Sequence, residues 1–446
     1  MNRPIVPPEH SVILLGAGAS SPAGGPLMRE FIDRARGYEK QGLFTPLELG
    51  DIQAALRFYD CLRRGGFSIT EEDIDNVENL LSLSELSRLI EHPPLEPLFD
   101  RQLPDRLRRF IDAVIAKSMR MPEPSSPRWL EWHDRTGLEV YMWLIAALAY
   151  AEGRITVITV NYDCLVEYIC YCMGLPYTYN RAWGDGLELL KLHGSINWVQ
   201  CSKCEDKGSL RVSPIEHHQH KLYPKVCYIE RSETICTKCE AELTPLIVPP
   251  TWQKEMDHEV LRKTWSRAAG ALLDAEVLVV VGYSLPIADS HVRELLHVGL
   301  SSANLQRSLI VVASDEESAQ RWSDLFRPSY RQRRVEIYRQ TFQDSIRRIV
   351  EVLGFDDRLA GSFRCFPPIE KWMRNDREML ERLREPMLKL HAMIQDPVSV
   401  NWRGAEEEAR GGPPWAYTNV WIEAGLHWVP PLPNLPVHGH KLGSSE

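Results

Sequence analysis

Apolar residues along this chain fall into two patterns. Short unbroken runs at 12–16, 155–159, 188–192, 245–249, 277–282 and 308–313 have the length and composition of strands buried on both faces. Several are followed by stretches with helical spacing, such as Leu165 to Met173, Leu261 to Leu273 and Ser290 to Leu300. Strand then helix, repeated, predicts an α/β fold: a Rossmann-like parallel sheet with helices on both faces. Between Tyr38 and Gly153 only helical patterns recur, including Val77 to Ile90, Leu107 to Met119 and Leu138 to Tyr150. Residues 38–153 are therefore expected to form a helical module inserted in the sheet domain, where it could lid a ligand. A second, smaller insertion at 198–246 carries two Cys-x-x-Cys pairs. The sheet domain with both insertions spans 1–352. Residues 353–446 then read as a charged helix, Ile369 to Gln395, and a tail rich in Pro, Gly and Trp, too apolar for a solvated linker and expected to pack on the body or meet a partner.

The candidate chemistry sits where the strand runs end. Val12-Ile13-Leu14-Leu15 leads into Gly16-Ala17-Gly18-Ala19-Ser20 and then into Leu27-Met28-Arg29-Glu30-Phe31, which reads as helix. Glycines at 16 and 18 let the backbone turn tightly and approach a ligand, and free N–H groups with a helix dipole behind them favour an anion. The third glycine of the dinucleotide fingerprint is missing, so by itself the motif suits a plain tight turn equally well. Asn161 and Asp163 follow the strand Ile155 to Thr159, at the edge where ligands bind in open α/β sheets, although both residue types also cap helices. His193 ends another run before Gly194-Ser195, and a neutral imidazole there can take a proton from a hydroxyl or a water. Gly282 and Ser284 close the run Val277 to Val281 and can donate to phosphate. Asp315 suits a ribose contact or a helix cap. Cys201, Cys204, Cys236 and Cys239 have the identity of a closed tetrahedral thiolate zinc site, structural because no position is left for water. His217, His218, His220 and Cys227 offer other ligands, with the histidines expected at the surface. Cys164, Cys170 and Cys172 read as small buried hydrophobes.

In order and spacing these motifs resemble the sirtuins. Gly16 to Arg29, GAGASSPAGGPLMR, aligns without a gap with that family's cofactor loop, GAGIS followed by an AGIPDFR-like segment. Asn161 and Asp163 fall on the Asn and Asp of its TQNID motif, His193 on its catalytic histidine, and Gly282-Tyr283-Ser284 on its GTS turn. The cysteine pairs likewise follow the histidine. The resemblance spans about residues 10 to 315. It implies NAD+ as substrate, structural Zn2+ on Cys201, Cys204, Cys236 and Cys239, catalysis by Asn161, His193 and Asp163, and cofactor contacts from Gly16, Ala17, Gly18, Ser20, Arg29, Gly282, Ser284 and Asp315.

The chain also departs from that pattern. Val160 replaces the motif's Gln, and Leu27-Met28 replaces the Asp-Phe before the loop arginine. Where deacylases hold an acylated peptide as an added strand, this chain reads Leu246-Ile247-Val248-Pro249-Pro250-Thr251-Trp252. The two prolines remove two donors from that edge. Without a peptide acceptor, water would attack the ribose carbon, which implies an NAD+ hydrolase similar to the NAD-depleting effectors of prokaryotic anti-phage defence. An NAD-dependent protein deacylase and a non-catalytic NAD or ADP-ribose sensor are the alternatives.

Composition narrows the setting. With 44% hydrophobic residues the 446-residue chain can bury a full core, and a formal charge of −9 argues against a general nucleic-acid binder. The run Arg331-Gln332-Arg333-Arg334 reads as solvated surface. No stretch approaches the ~18 apolar residues of a membrane span, and no signal peptide is evident, so a cytoplasmic protein with reduced thiols is expected. A toxic hydrolase needs restraint, which predicts homo-oligomerisation or a regulatory partner such as an Argonaute-like protein or a helicase-like ATPase.

Overall fold

The computed structural model describes residues 8–64, 74–89, 101–121, 144, 154–173, 177–179, 187–201, 203–204, 211–222, 227–249, 258–287, 289–301, 308–313, 315–326 and 335–353. The charged helix and tail, the arginine run at 331–334, Pro250 to Trp252 and the helical pattern at Leu138 to Tyr150, apart from Leu144, lie outside the described residues. The elements in chain order are β1 (His10–Leu15), α1 (Ala17–Ser20), α2 (Phe31–Lys40), α3 (Pro46–Arg64), α4 (Val77–Leu89), α5 (Leu103–Ser118), β2 (Arg154–Thr159), α6 (Leu165–Met173), β3 (Tyr177–Thr178), β4 (Leu187–Lys191), β5 (Gly194–Gln200), β6 (Arg211–Val212), β7 (Ile215–Gln219), β8 (Cys227–Arg231), β9 (Thr244–Ile247), α7 (Glu259–Asp274), β10 (Val277–Val281), α8 (Ser290–Ser301), β11 (Ser308–Val312), α9 (Glu316–Leu325), β12 (Val335–Tyr338) and α10 (Phe342–Val352).

Seven strands form one sheet in the order β12-β11-β10-β1-β2-β4-β3, and every pairing in it is parallel. The unbroken apolar runs follow from this arrangement, because both faces of a parallel sheet are covered and residues of either parity must be apolar. Ile13, Leu15, Val157, Leu189, Val279 and Val281 pack to one face, in a core shared with Phe31 of α2, Ile52 and Phe58 of α3, and Phe110 and Ile111 of α5. Val12, Leu14, Ile158, Leu190, Leu278 and Val280 pack to the other, against Ala268, Leu272, Val292, Leu296 and Trp322 of α7, α8 and α9.

One predicted strand lies elsewhere. The run at 245–249 forms β9, which pairs antiparallel with β5 in a separate three-stranded sheet. Strand β5 itself, GSINWVQ, breaks its apolar pattern with Ser, Asn and Gln and is not apparent as a run. A third sheet, the hairpin β7-β8, lies against α5: Arg231 Nε donates to Asp112 Oδ2 at 2.8 Å, and the buried Lys117 ammonium pairs with Glu230 and with Glu48.

Candidate functional site

The register of the large sheet aligns four strand ends. Val281, Leu15, Thr159 and Lys191 are successive cross-strand partners, so the residues that follow them line up along the carboxyl edge. That edge beside β1, where the chain crosses from β2 on one side to β10 on the other, is the crevice open α/β sheets use for ligands.

The loops after β1 and β10 are locked together. Gly18 N–H donates to Gly282 O at 2.9 Å and Gly16 N–H to Val281 O at 3.0 Å. A Cβ on Gly16 would lie 2.6 Å from Gly282 O, and Gly282 has φ +63° with a built Cβ only 2.1 Å from Ala19 N. These glycines are thus required first by contact between the two loops, not by approach of backbone to a ligand. Past Gly282 the loop stays unusual. Leu285, fully buried, has φ +51°, a conformation that costs a non-glycine residue of order 1 kcal/mol or more and that clusters at functional sites.

Asn161 is held from three sides. Its backbone N–H donates to Thr159 Oγ1 at 3.0 Å, while its Nδ2 donates to Gly16 O at 3.0 Å and to Ser20 Oγ at 2.9 Å. Both amide N–H bonds are therefore used, which fixes the amide plane. The remaining polar atom, Oδ1, is buried and accepts no hydrogen bond among the described residues. A buried carbonyl oxygen without a donor costs free energy unless a ligand or water supplies one. Asp163 is turned elsewhere: its Oδ1 accepts from Leu165 N–H at 3.0 Å at the start of α6, the capping use of this residue type.

His193 is 2% exposed. Its ring stacks on Trp265 of α7 with centroids 6.4 Å apart and lies 6.3 Å from Tyr162, and Trp265 Nε1 donates to Leu192 O at 2.8 Å. Next to it Gly194 has φ +82°, and a Cβ there would be 2.0 Å from Leu246 O, so the turn that presents the histidine needs glycine. Tyr162 hydroxyl donates to Glu78 Oε1 at 2.7 Å, bringing α4 of the helical module to this edge; burial, then Glu78, raises that phenol well above its ordinary pKa.

Lys191, the last residue of β4, is fully buried. Its ammonium donates to Glu167 Oε1 at 2.9 Å and to the backbone carbonyl of Asp163. Burial alone would lower its pKa, but Glu167 holds it above the ordinary lysine value. Cys164, in the same pocket, has its thiol pushed up by burial, consistent with an inert packing role.

The remaining candidates are dispersed. Ala17 opens α1 and Ser20 ends it. Arg29 is exposed, as is Ser284, whose carbonyl accepts from Arg321 Nε at 2.8 Å. Asp315 caps α9, accepting from the backbone N–H and the hydroxyl of Ser318, both at 2.7 Å; although burial opposes it, these bonds keep its carboxyl below the usual range. Motif reading missed Asp289, Lys191, Glu78 and Trp265. The loop after β10 crosses back along the edge to set Asp289 Oδ1 3.6 Å from His193 Nε2, a contact no local sequence signal announces.

The four cysteines meet as a cluster, with all four sulfurs within 4.8 Å of one another and nearest pairs at 3.4–3.8 Å. A tetrahedral zinc thiolate with Zn–S of about 2.3 Å has S···S edges of about 3.8 Å, so the donor set fits that ion. Backbone N–H groups of Lys238 and Cys239 aimed at the Cys236 sulfur lower its thiol to about 6, while the neighbouring sulfurs, Cys239 first, raise Cys204 to about 12. His218 and His220 are not part of the cluster. His220, expected at the surface, is 3% exposed, with one ring nitrogen on Lys117 O and the other accepting from Leu222 N–H. Cys227 is buried beside Tyr168. Among the described residues, Val199, Cys236 and Leu243 form the small apolar cluster beside these thiols. One equivalent of zinc per chain by atomic emission is expected, with a lower melting temperature after chelation; wild-type melting in a metal-free protein would contradict a structural role.

No family model matches the chain, and no curated protein matches it in sequence. Solved structures do. A mutant Sir2 homologue in complex with ADP ribose is 15% identical, with 80% of this chain and 96% of that one covered and a TM-score of 0.40. A Sir2, p53 peptide and NAD+ complex is 15% identical over 78% of this chain and 95% of that one, TM-score 0.37. Sir2Tm bound to a propionylated peptide is 16% identical over 78% and 95%, TM-score 0.33. The three are Sir2 structures. At these scores the Rossmann-like α/β assignment rests on the parallel order of the sheet itself. Among the described residues no helix is long and apolar enough to cross a membrane.

Proposed function

We propose that this chain is an NAD+ hydrolase, cleaving the nicotinamide–ribose bond to give nicotinamide and ADP-ribose. The observation that carries the reading is the Asn161 amide: both N–H bonds are spent on the glycine loop and the buried Oδ1 waits for a donor. A ribose hydroxyl or an attacking water is such a donor. Nicotinamide leaves as a neutral molecule from a cationic ring, so the transition state is oxocarbenium-like and needs positioning above all. In this reading the C–N bonding pair goes to nicotinamide, water oxygen bonds to the ribose carbon, and His193 accepts the water proton before releasing it to solvent. This reading sets the pyrophosphate beside the two glycine loops without bonds from the N–H groups of Gly16, Gly18 and Gly282, which are spent within the chain, and the zinc module only holds β5 and β9 in place.

Pro249 and Pro250 favour water over an acylated peptide, because neither can donate to an added strand. The same reading makes the protein an NAD-depleting defence effector, restrained by self-association or by a protein partner.

Purified protein is incubated with NAD+ and no peptide, and nicotinamide and ADP-ribose are followed by chromatography. Release of both in equal amounts is the expected result. Release only with an acylated peptide would replace this reading with a deacylase, and thermal stabilisation by NAD+ without turnover would replace it with a sensor.

A further inference from the structure

We infer that Asp289 is a positioning residue for His193, holding its ring with the proton on Nε2 so that Nδ1 carries the basic lone pair; this rests on the hydrolase reading above. Asp289 is 1% exposed and comes from the loop that closes β10, three strands away from the end of β4 that leads to His193. Adjacent strands lie about 4.8 Å apart, so the chain returns roughly 14 Å along the edge to make the contact. Several bonds fix that return. Asp289 Oδ2 accepts from the Tyr283 hydroxyl at 2.6 Å, and Asp289 N–H donates to Pro286 O at 3.1 Å. Arg293 N–H reaches Asp289 O at 3.3 Å, and Arg293 Nη2 reaches Leu285 O, also at 3.3 Å. With one carboxylate oxygen on Tyr283, the other faces His193 Nε2 at 3.6 Å, an ion-pair distance that a small ring rotation or proton uptake turns into a hydrogen bond.

Two aromatic surfaces keep the imidazole in the plane of this contact. Trp265 stacks on it at an interplanar angle of 25° and Tyr162 flanks it at 37°. A histidine ring nitrogen that faces a carboxylate keeps its proton, and the other nitrogen becomes the acceptor. The strain at Leu285 belongs to the same device, since the left-handed turn redirects the loop towards Asp289.

Asp289 also precedes α8, and a helix-capping role is the competing account. Asp289→Asn separates the two. Asparagine caps as well as aspartate and still accepts from Tyr283, but it brings no charge and can present an N–H to Nε2. In 15N-histidine-labelled protein, long-range 15N–1H spectra assigned with His193→Ala are expected to show the Nε2–H tautomer in the wild type and its loss in Asp289→Asn. Kinetically, kcat falls by up to the roughly 10²–10⁴-fold that a positioned general base contributes, with KM for NAD+ within about twofold. Adding Asp289→Asn to His193→Ala costs nothing further, because Asp289 acts only through the ring. Tyr283→Phe shows the same tautomer change to a smaller degree. An unchanged tautomer in Asp289→Asn, or a kcat loss that adds to that of His193→Ala, would overturn the inference. A wild-type protein that releases no nicotinamide removes the hydrolase reading alone, and the tautomer spectra still decide the role of Asp289.

Discussion

Asn161→Ala is expected to slow nicotinamide release by about 10²–10³-fold, the loss seen when one preorganised polar contact to a reacting centre is removed. The expectation follows from how the side chain is held. Gly16 O and Ser20 Oγ take both N–H bonds, so Oδ1 has one orientation and no reorganisation is needed when the substrate arrives. Losing those two bonds also lowers stability, at about 0.5–1.5 kcal/mol each, which denaturant titration measures separately. Asn161→Asp is a sharper variant: it keeps the shape but sets a carboxylate against the Gly16 carbonyl, and should be as inactive as Ala. The decisive measurement is kcat by chromatographic nicotinamide assay, on protein shown to be folded. Wild-type turnover in a folded Asn161→Ala protein would remove Asn161 from the mechanism.

Lys191→Met is expected to destabilise the fold by about 3–5 kcal/mol, the usual consequence of removing one partner of a buried ion pair. Lys191 and Glu167 are 0% and 1% exposed as side chains, so the stranded carboxylate has no water to turn to. The Asp163 carbonyl would lose its donor as well, and Asp163 is the residue that starts the turn from Asn161 into α6. Adding Glu167→Gln should restore a large part of the loss, because the uncompensated charge is gone and Tyr179 can still donate to the amide oxygen. Urea midpoints for the two single variants and the double give the coupling. A Lys191→Met midpoint equal to wild type would show that the pair contributes nothing. A stable Lys191→Met protein that has lost turnover would instead make Lys191 a support of the 161–163 loop alone.

The strands most legible in the sequence are those buried on both faces. Val277 to Val281 is five consecutive apolar residues because helices cover it above and below, and it reads as a strand without any partner in view. Strand β12, Val335–Tyr338, escaped that pattern because it is a short, half-buried edge strand with Glu336 in it. The run at 245–249 was legible as a strand but not as a member of a separate sheet, since its antiparallel partner β5 hides among Ser195, Asn197 and Gln200. Gly16, Asn161 and His193 stood out in the sequence as candidates because each lies within two residues of a strand's end and carries its chemistry in its own residue type. For Asp315 the capping alternative describes its contacts, which depend on Ser318 only three residues on.

By itself, the sequence determined five of the seven strands of the parallel sheet, which residues stand at their carboxyl ends, and that four thiols are available for one ion. Hydrophobic burial and strand-end turns act over a few residues, so they leave a local record. The tertiary structure alone decided that Gly16 and Gly282 must be small for each other, that Lys191 ties the Asp163 turn to α6, and that Asp289 faces His193 across the edge of the sheet. Each of these depends on strand order and register, which bring together residues about a hundred or more positions apart, or, for Lys191 and Asp163, on two adjacent parallel strands ending level.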